Sequence, residues 1–230
     1  PTRLLLESVW GVMFLSPEEA QLATQQLNIT PAHIGILGGG ISLPSIQASS
    51  SQITETSSCN LLYMGRLESG KGLAQLYDYV KRYFEENKSL RLTVLGKGPY
   101  LPPSHPAFDY RGFVSEEEKA RVCASALALC QPSVNESFSR TIMESWLMER
   151  PVIVHGQCAV TKGHAQRSKG GLWFQTYTEF AGALEWLQDN PSHAAKMGQN
   201  GKQYVLSNYT WQAVVGRFEG LIRQWGKSDE

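Results

Sequence analysis

Two glutamates, Glu136 and Glu144, stand eight positions apart in PSVNESFSRTIMESW, residues 132–146. Glu136 precedes a helical pattern and Glu144 lies inside it. With Ile142 set at zero on a helical wheel, Met143, Trp146 and Leu147 fall within about 140°, whereas Glu144 falls at about 200°, off the apolar face. Helical side chains lean toward the N-terminus, so Glu144 reaches back over the first turn toward the loop holding Glu136. Two chemistries are open. In one, Glu144 forms a surface pair with Arg140 on the same flank, worth a few tenths of a kcal/mol. In the other, Glu144 accepts hydrogen bonds from two sugar hydroxyls, while backbone N–H groups near Ser137, Phe138, Ser139 and Arg140 hold a phosphate.

Cations supply a second constellation. Arg66 directly follows the apolar run NLLYMG, and Lys71 lies five residues on, at the start of a helical pattern. Positive side chains there oppose the helix dipole, so they are either a solvated pair or a clamp on an anion that helix amides also hold. The other signals are weaker. GGG and GKG are too short for a dinucleotide fingerprint, and no G-x-x-x-x-G-K-[ST] loop occurs. His155, Cys158 and His164 fall in one segment read as a loop, with three ligand types but no carboxylate, so no metal site is assigned. The four aspartates include no D-x-D pair to hold a divalent ion on a diphosphate, so diphosphate chemistry here would be metal-free.

Positioning these residues requires a sheet. From Asn60 the chain alternates: strand NLLYMG, helix 71–86, strand RLTVLG, a proline-rich loop, strand FDYRGF, helix 115–124, strand ALALCQP, helix 139–148, strand PVIVHG. Such alternation predicts a doubly wound, Rossmann-like parallel α/β sheet, with ligands beyond the carboxyl ends of the strands. Leu73, Leu76, Val80 and Phe84 give the first of these helices a buried stripe, and Ser115 with Glu118 gives the second a capping box. Upstream, VWGVMFLS, SPEEAQLATQQL and HIGIL read strand, helix, strand, with Ser16, Pro17 and Glu19 as helix-start signals. These divide the chain into a strand-helix-strand unit at 1–45, a Ser/Thr-rich linker at 46–58, an α/β domain at 59–207 and an amphipathic helix at 208–230. Trp211, Val214, Val215, Phe218, Ile222 and Trp225 form the apolar face of that last helix.

With 230 residues, 42% of them apolar, the chain can bury a sizeable core, and its zero formal net charge argues against nucleic-acid binding. No signal peptide or run of apolar residues long enough for a membrane span is visible, which predicts a cytoplasmic protein. The four cysteines lack C-x-x-C spacing and read as reduced thiols.

GRLESGKG, LTVLGKGP, DYRGFVSEEE, ALALCQPSVNESFSRTIMES and RPVIVHG occur in the order seen in retaining nucleotide-sugar glycosyltransferases of family 4, and the chain resembles that family over roughly residues 9–225. The combination of G-R-x4-K-G with E-x7-E carries the resemblance. It implies one donor-binding lobe of a GT-B fold and no cofactor beyond the nucleoside-diphosphate sugar itself. On matching positions, Arg66 and Lys71 would neutralise the departing diphosphate as catalytic groups in place of a metal, and Glu136 would contact the donor sugar or its diphosphate. Gly65, Ser137, Phe138, Ser139 and Arg140 would line the donor site, Glu144 would hold the ribose, and Gly112, Phe113 and Val114 would border the base. Residues 1–45 would end a first lobe that carries the acceptor site, and peripheral membrane contact would run through that lobe. Two departures stand out: Gly39-Gly40-Ile41-Ser42 replaces an Asn-Gly-Val-Asp-like turn, and the basic stretch QCAVTKGHAQRSKGGLWF replaces a G-G-x-x-E loop. The alternative is a non-catalytic α/β module that binds a nucleotide, or a protein through exposed aromatics such as Trp225.

Overall fold

The computed structural model describes residues 8–29, 31–43, 59–87 and 89–226, together with residues 4 and 6. The segment 46–58, expected to be a linker, lies outside them. A parallel pair comes first: β1 (Gly11–Phe14) and β2 (His33–Ile36), joined by helix α1 (Pro17–Leu27). Ser16 caps α1 by accepting the Glu19 amide at 3.0 Å. The Glu19 carboxylate turns back to the amide of Leu15 at 2.7 Å, one residue earlier than a capping box would place it.

Six further strands build the main sheet: β3 (Cys59–Met64), β4 (Leu90–Leu95), β5 (Phe108–Gly112), β6 (Ala128–Gln131), β7 (Val152–His155) and β8 (Gly171–Phe174). All neighbours are parallel, in the spatial order β5-β4-β3-β6-β7-β8. The chain therefore starts in the middle, lays strands to one side, then returns past β3 to lay the rest on the other. Successive side chains point to opposite faces, and each face has its own core. Leu61, Tyr63, Leu92, Val94, Cys130 and Ile153 pack under helices α2 (Leu73–Asn87) and α6 (Tyr177–Asp189). Leu62, Met64, Leu129, Val152 and Val154 pack under α3 (Glu116–Ser125), α4 (Arg140–Leu147), α5 (Ala159–Ser168) and α7 (Pro191–Asn208). Ile142, Met143, Trp146 and Leu147 are buried as the helical wheel predicts.

Three expectations are corrected. The basic stretch after β7 is a helix, α5, rather than a loop. Val160, Thr161, Gly163, His164, Ala165 and Ser168 are all buried in it, so it shows no amphipathic period, and its polar residues disguise it. His155, Cys158 and His164 are thereby separated along a strand end, a helix cap and a helix interior. Ser115 caps α3 through the Glu118 amide at 3.1 Å, yet the Glu118 carboxylate serves Arg111 and Arg121 instead of completing a capping box.

The third concerns α8 (Trp211–Gly226), of whose expected apolar face only Val214 and Trp225 are buried, while Trp211, Val215, Phe218 and Ile222 remain exposed. Trp225 stacks on His33 and meets Trp10 edge-on, so it is covered rather than presented to a partner. Gly35 lies so close to Leu221 and Trp225 that a Cβ there would come within 2.7 Å of Leu221. The same principle of close approach governs α7, where Gly198 and Gly201 let the helix lie against the backbone of Glu149 and the ring of Trp146.

At the carboxyl ends of β3, β4 and β5 the loops bond to one another: the Gly65 amide donates to Leu95 (3.0 Å), the Leu67 amide to Lys97 (2.9 Å) and the Gly96 amide to Gly112 (2.7 Å). Gly96 has φ +143 and faces the Gly65 carbonyl directly. Gly96→Ala should destabilise the protein by roughly 3 kcal/mol or more, through strain and collision together. Gly182→Ala, in α6 with nothing within 4 Å of its new Cβ, should stabilise by about 0.5 to 1 kcal/mol. Urea denaturation of the two variants checks both signs.

Candidate functional site

Strand order reverses between β3 and β6. Successive connections leave these neighbours on opposite sides of the sheet, opening a crevice at their carboxyl ends. β3 runs into Gly65 and Arg66, then a single 3-10 turn at Ser69–Lys71. β6 runs into the Pro132–Ser139 loop and α4. The crevice brings Lys71 and Glu136, 65 residues apart, into contact: the ammonium lies 2.7 Å from the Glu136 carboxylate. Both side chains are largely covered, at 20% and 12% exposure, so this pair is screened far less than a surface pair. Gly72 makes the approach possible, with φ +73 and its α-carbon against the Pro132 carbonyl.

Arg66 is different. Its guanidinium pairs with Glu68 at 3.0 Å in the open, where such a pair contributes little and releases its partners at small cost. The backbone beneath is fixed, because the buried Tyr63 hydroxyl donates to the Arg66 carbonyl at 2.8 Å. Burial, followed by the charges of neighbouring groups including Glu136, pushes the Tyr63 pKa up and keeps it a neutral donor.

The start of α4 carries the clearest strain. Ser139 is its N-cap in the left-handed region, φ +64, and its side chain makes no capping hydrogen bond. A non-glycine residue held there costs on the order of 1 kcal/mol or more, and the first-turn amides, which a helix cannot satisfy internally, receive no side-chain cap. Gln131 supports the turn from β6, its amide nitrogen 3.2 Å from the Thr141 hydroxyl. These amides border a cavity of about 410 Å³ whose walls include Glu136, Ser137, Phe138, Ser139, Arg140, Gly39, Gly40 and Trp211. Exposed Arg140 points no ion pair at Glu144, contrary to the simpler sequence reading.

Glu144 instead meets Lys119 of α3 at 3.2 Å, and Lys119 also holds Glu116 at 2.7 Å. This second cavity, about 450 Å³, lies between α3 and α4 and is lined by Glu144, Lys119, Met64, Cys123, Leu147 and Met148, among others. Glu136 and Glu144 thus line separate cavities flanking one helix start. Lys119 was missed from the sequence because its link to Glu144 crosses between helices, with no spacing rule to reveal it. Of the residues expected to border a base, Gly112 turns at φ +68, Phe113 is exposed beneath the Lys97 ammonium at 5.3 Å, and Val114 is half-buried. Among the described residues no group of three or more His, Cys, Asp or Glu is placed to hold a metal ion.

Residues 58–190 match the family described as glycosyl transferases group 1. The chain belongs to that family. It is 24% identical over 177 residues to an alpha-D-kanosaminyltransferase of Streptomyces kanamyceticus, covering 72% of this chain and 46% of that protein. To the glycosyltransferase 1 domain-containing protein 1 of Xenopus tropicalis it is 28% identical over 112 residues, covering 47% of this chain and 31% of that one. The chain thus spans less than half the length of these relatives. In structure, 99% of it superposes on 61% of the sucrose-phosphate synthase of Thermosynechococcus elongatus, with a TM-score of 0.82 at 19% identity. It also matches Anabaena HepE in complex with UDP-glucose, with a TM-score of 0.76 at 14% identity, covering 97% of this chain and 65% of that one. The architecture of this glycosyl transferase domain is one lobe of a GT-B fold, as its resemblance implied.

Behind the α4 loop sits a buried aromatic and polar group. The Phe138 ring meets His164 and Tyr209 edge-on, at 5.5 and 5.0 Å. Burial first, then the nearby Arg167 cation, lowers the His164 pKa to about 4, against the opposing charge of Glu18. Its folded pKa lies below the ordinary 6.5, so the unfolded state binds the extra proton first as pH falls. The stability contributed by keeping His164 neutral is complete above pH 6.5 and declines toward pH 4, by up to about 3 kcal/mol. Equilibrium denaturation across that window should show this slope, and His164→Phe should flatten it.

Proposed function

We propose that this chain is the donor-binding part of a retaining glycosyltransferase, holding a nucleoside-diphosphate sugar for metal-independent transfer to an acceptor bound elsewhere. The observation that carries the reading is the Lys71–Glu136 contact beside the uncapped start of α4, at the point where strand order reverses. A diphosphate placed there meets the α4 amides and the Lys71 ammonium, and exposed Arg66 swings from Glu68 to join them. As the glycosidic bond breaks, charge grows on the leaving phosphate, and these fixed donors stabilise it more than the ground state. Glu136, holding Lys71, faces the donor sugar or the diphosphate. Glu144 accepts from the ribose hydroxyls at the boundary with the second cavity. HepE binding UDP-glucose in a similar fold supports a nucleotide-sugar ligand.

The acceptor site belongs, on this reading, to an upstream lobe of which β1, α1 and β2 are the end. Helices α1 and α8 both pack on the two-stranded parallel pair, but among the described residues no further strand pairs with either of its edges. This chain alone should bind donor without turning it over. Calorimetry with UDP, GDP and ADP tests the reading: one should bind, and silence from all three at millimolar concentration sinks it. With the nucleotide that binds, Glu144→Ala should cost roughly 1 to 3 kcal/mol of affinity through lost ribose hydrogen bonds. An unchanged affinity would leave Glu144 as the partner of Lys119 and nothing more.

A further inference from the structure

Helix α1 and helix α5 meet through one bidentate ion pair, in which both terminal nitrogens of Arg167 engage the carboxylate of Glu18, the second at 3.2 Å. Gly163 gives Glu18 room, because a Cβ there would collide with the carboxylate. Arg167 also donates through Nε to the Tyr204 hydroxyl of α7 at 3.2 Å. That hydroxyl is the hub of the group, lying 2.9 Å from His164 Nδ1 and 3.0 Å from the Tyr209 hydroxyl. His164 is fully buried, and its other ring nitrogen, Nε2, has no hydrogen-bond partner among the described residues. The ring is therefore held by polar contacts at Nδ1 only, from Tyr204 and, at 3.4 Å, Arg167, and otherwise packs edge-on against Phe138 and Tyr209. Phe138 sits between Glu136 and the strained cap Ser139, and it also packs against the backbone of Gly39, where a Cβ would come within 2.8 Å.

We propose that Glu18, Arg167, Tyr204 and His164 form a relay that carries the position of α1 in the upstream unit to the loop 136–139, and so sets the geometry of the α4 start for its ligand. The link to the ligand rests on the nucleotide reading above; the relay itself does not. Its physical content is a chain of directed polar bonds from Glu18 to His164, followed by edge-on ring packing onto Phe138. The Arg167 fork fixes α1 on α5, the Tyr204 hydroxyl fixes His164, and the two rings of His164 and Tyr209 fix Phe138. Glu18 and Arg167 touch no ligand in this scheme, so they are positioning residues.

A relay predicts coupling at a distance, which contiguity alone does not establish. Amide hydrogen exchange of the ligand-free protein reads it directly. Glu18→Gln and Arg167→Met should each speed exchange at residues 136–141 by about tenfold, and the double variant should be no faster than either single one. The charge-swapped pair Glu18→Arg with Arg167→Glu should restore most of the protection, which separates a specific ion pair from general loosening. Titration of the same variants with whichever of UDP, GDP and ADP the parent chain binds should show affinity about three- to tenfold weaker, largely recovered in the swapped pair. Unchanged exchange at 136–141 in both single variants overturns the relay, as does full additivity in the double variant. Faster exchange with unchanged affinity for that nucleotide overturns its link to the ligand. If the parent chain binds none of the nucleotides, the donor reading fails while the exchange experiment still decides the relay. Tyr204→Phe, which keeps the ring and deletes the hub hydroxyl, supplies a second variant should the charged ones fold poorly.

Discussion

The reversal of strand order between β3 and β6 governs everything else in this molecule. Two neighbouring strands that send their connections to opposite faces of the sheet leave a gap at their carboxyl ends. The short turn after β3 and the loop after β6 both empty into that gap, which is why Lys71 and Glu136 meet across a long stretch of sequence. Local geometry then adjusts to the gap. Gly72 removes the side chain that would hold the two loops apart, Gly96 lets the loops after β3 and β4 stack, and Ser139 accepts an unfavourable conformation at the helix start. Of these, Ser139 alone is a non-glycine residue held at positive φ, and it stands at the crevice itself, whereas Gly72 and Gly96 supply close approaches that a side chain would block.

Much of the fold could be read directly, for a physical reason. Central strands of a parallel sheet are covered on both faces, so NLLYMG, LTVL, ALCQ and PVIV are nearly unbroken apolar runs, while the amphipathic helix after β3 shows its stripe. Helix α5 hid because it is buried on most sides and built from small and polar residues, which leaves no period to detect. The face of α8 was legible as a pattern but not in its burial, since a sequence shows which side is apolar and not whether anything covers it. Single positions fared similarly. The wheel placed Glu144 off the core, yet its partner proved to be Lys119 of another helix rather than Arg140 of its own.

The electrostatics of the crevice are economical. The protein has no net charge, and three cations around the crevice are paired in advance: Lys71 with Glu136, Arg66 with Glu68, Lys119 with Glu144. On the proposed reading, a diphosphate reaching these three cations exchanges partners with their carboxylates rather than neutralising bare charge. That limits long-range attraction but keeps the ligand-free site from paying for unpaired, half-buried cations.

Helix α8 gives the molecule a property beyond its site. It leaves the α/β domain at Thr210, where Ile41 bridges to it, and ends with Trp225 packed against His33 and Trp10 of the first strands. Helix α8 is thus the clasp between the strand-helix-strand unit and the α/β domain. At Gly11 and Gly35 the side of β1 and β2 that carries them lies against Trp225 and Leu221, so its cover is synthesised long after the strands themselves. Docking of β1 and β2 onto this helix is therefore a long-range and late step in folding, and an opportunity for chaperones.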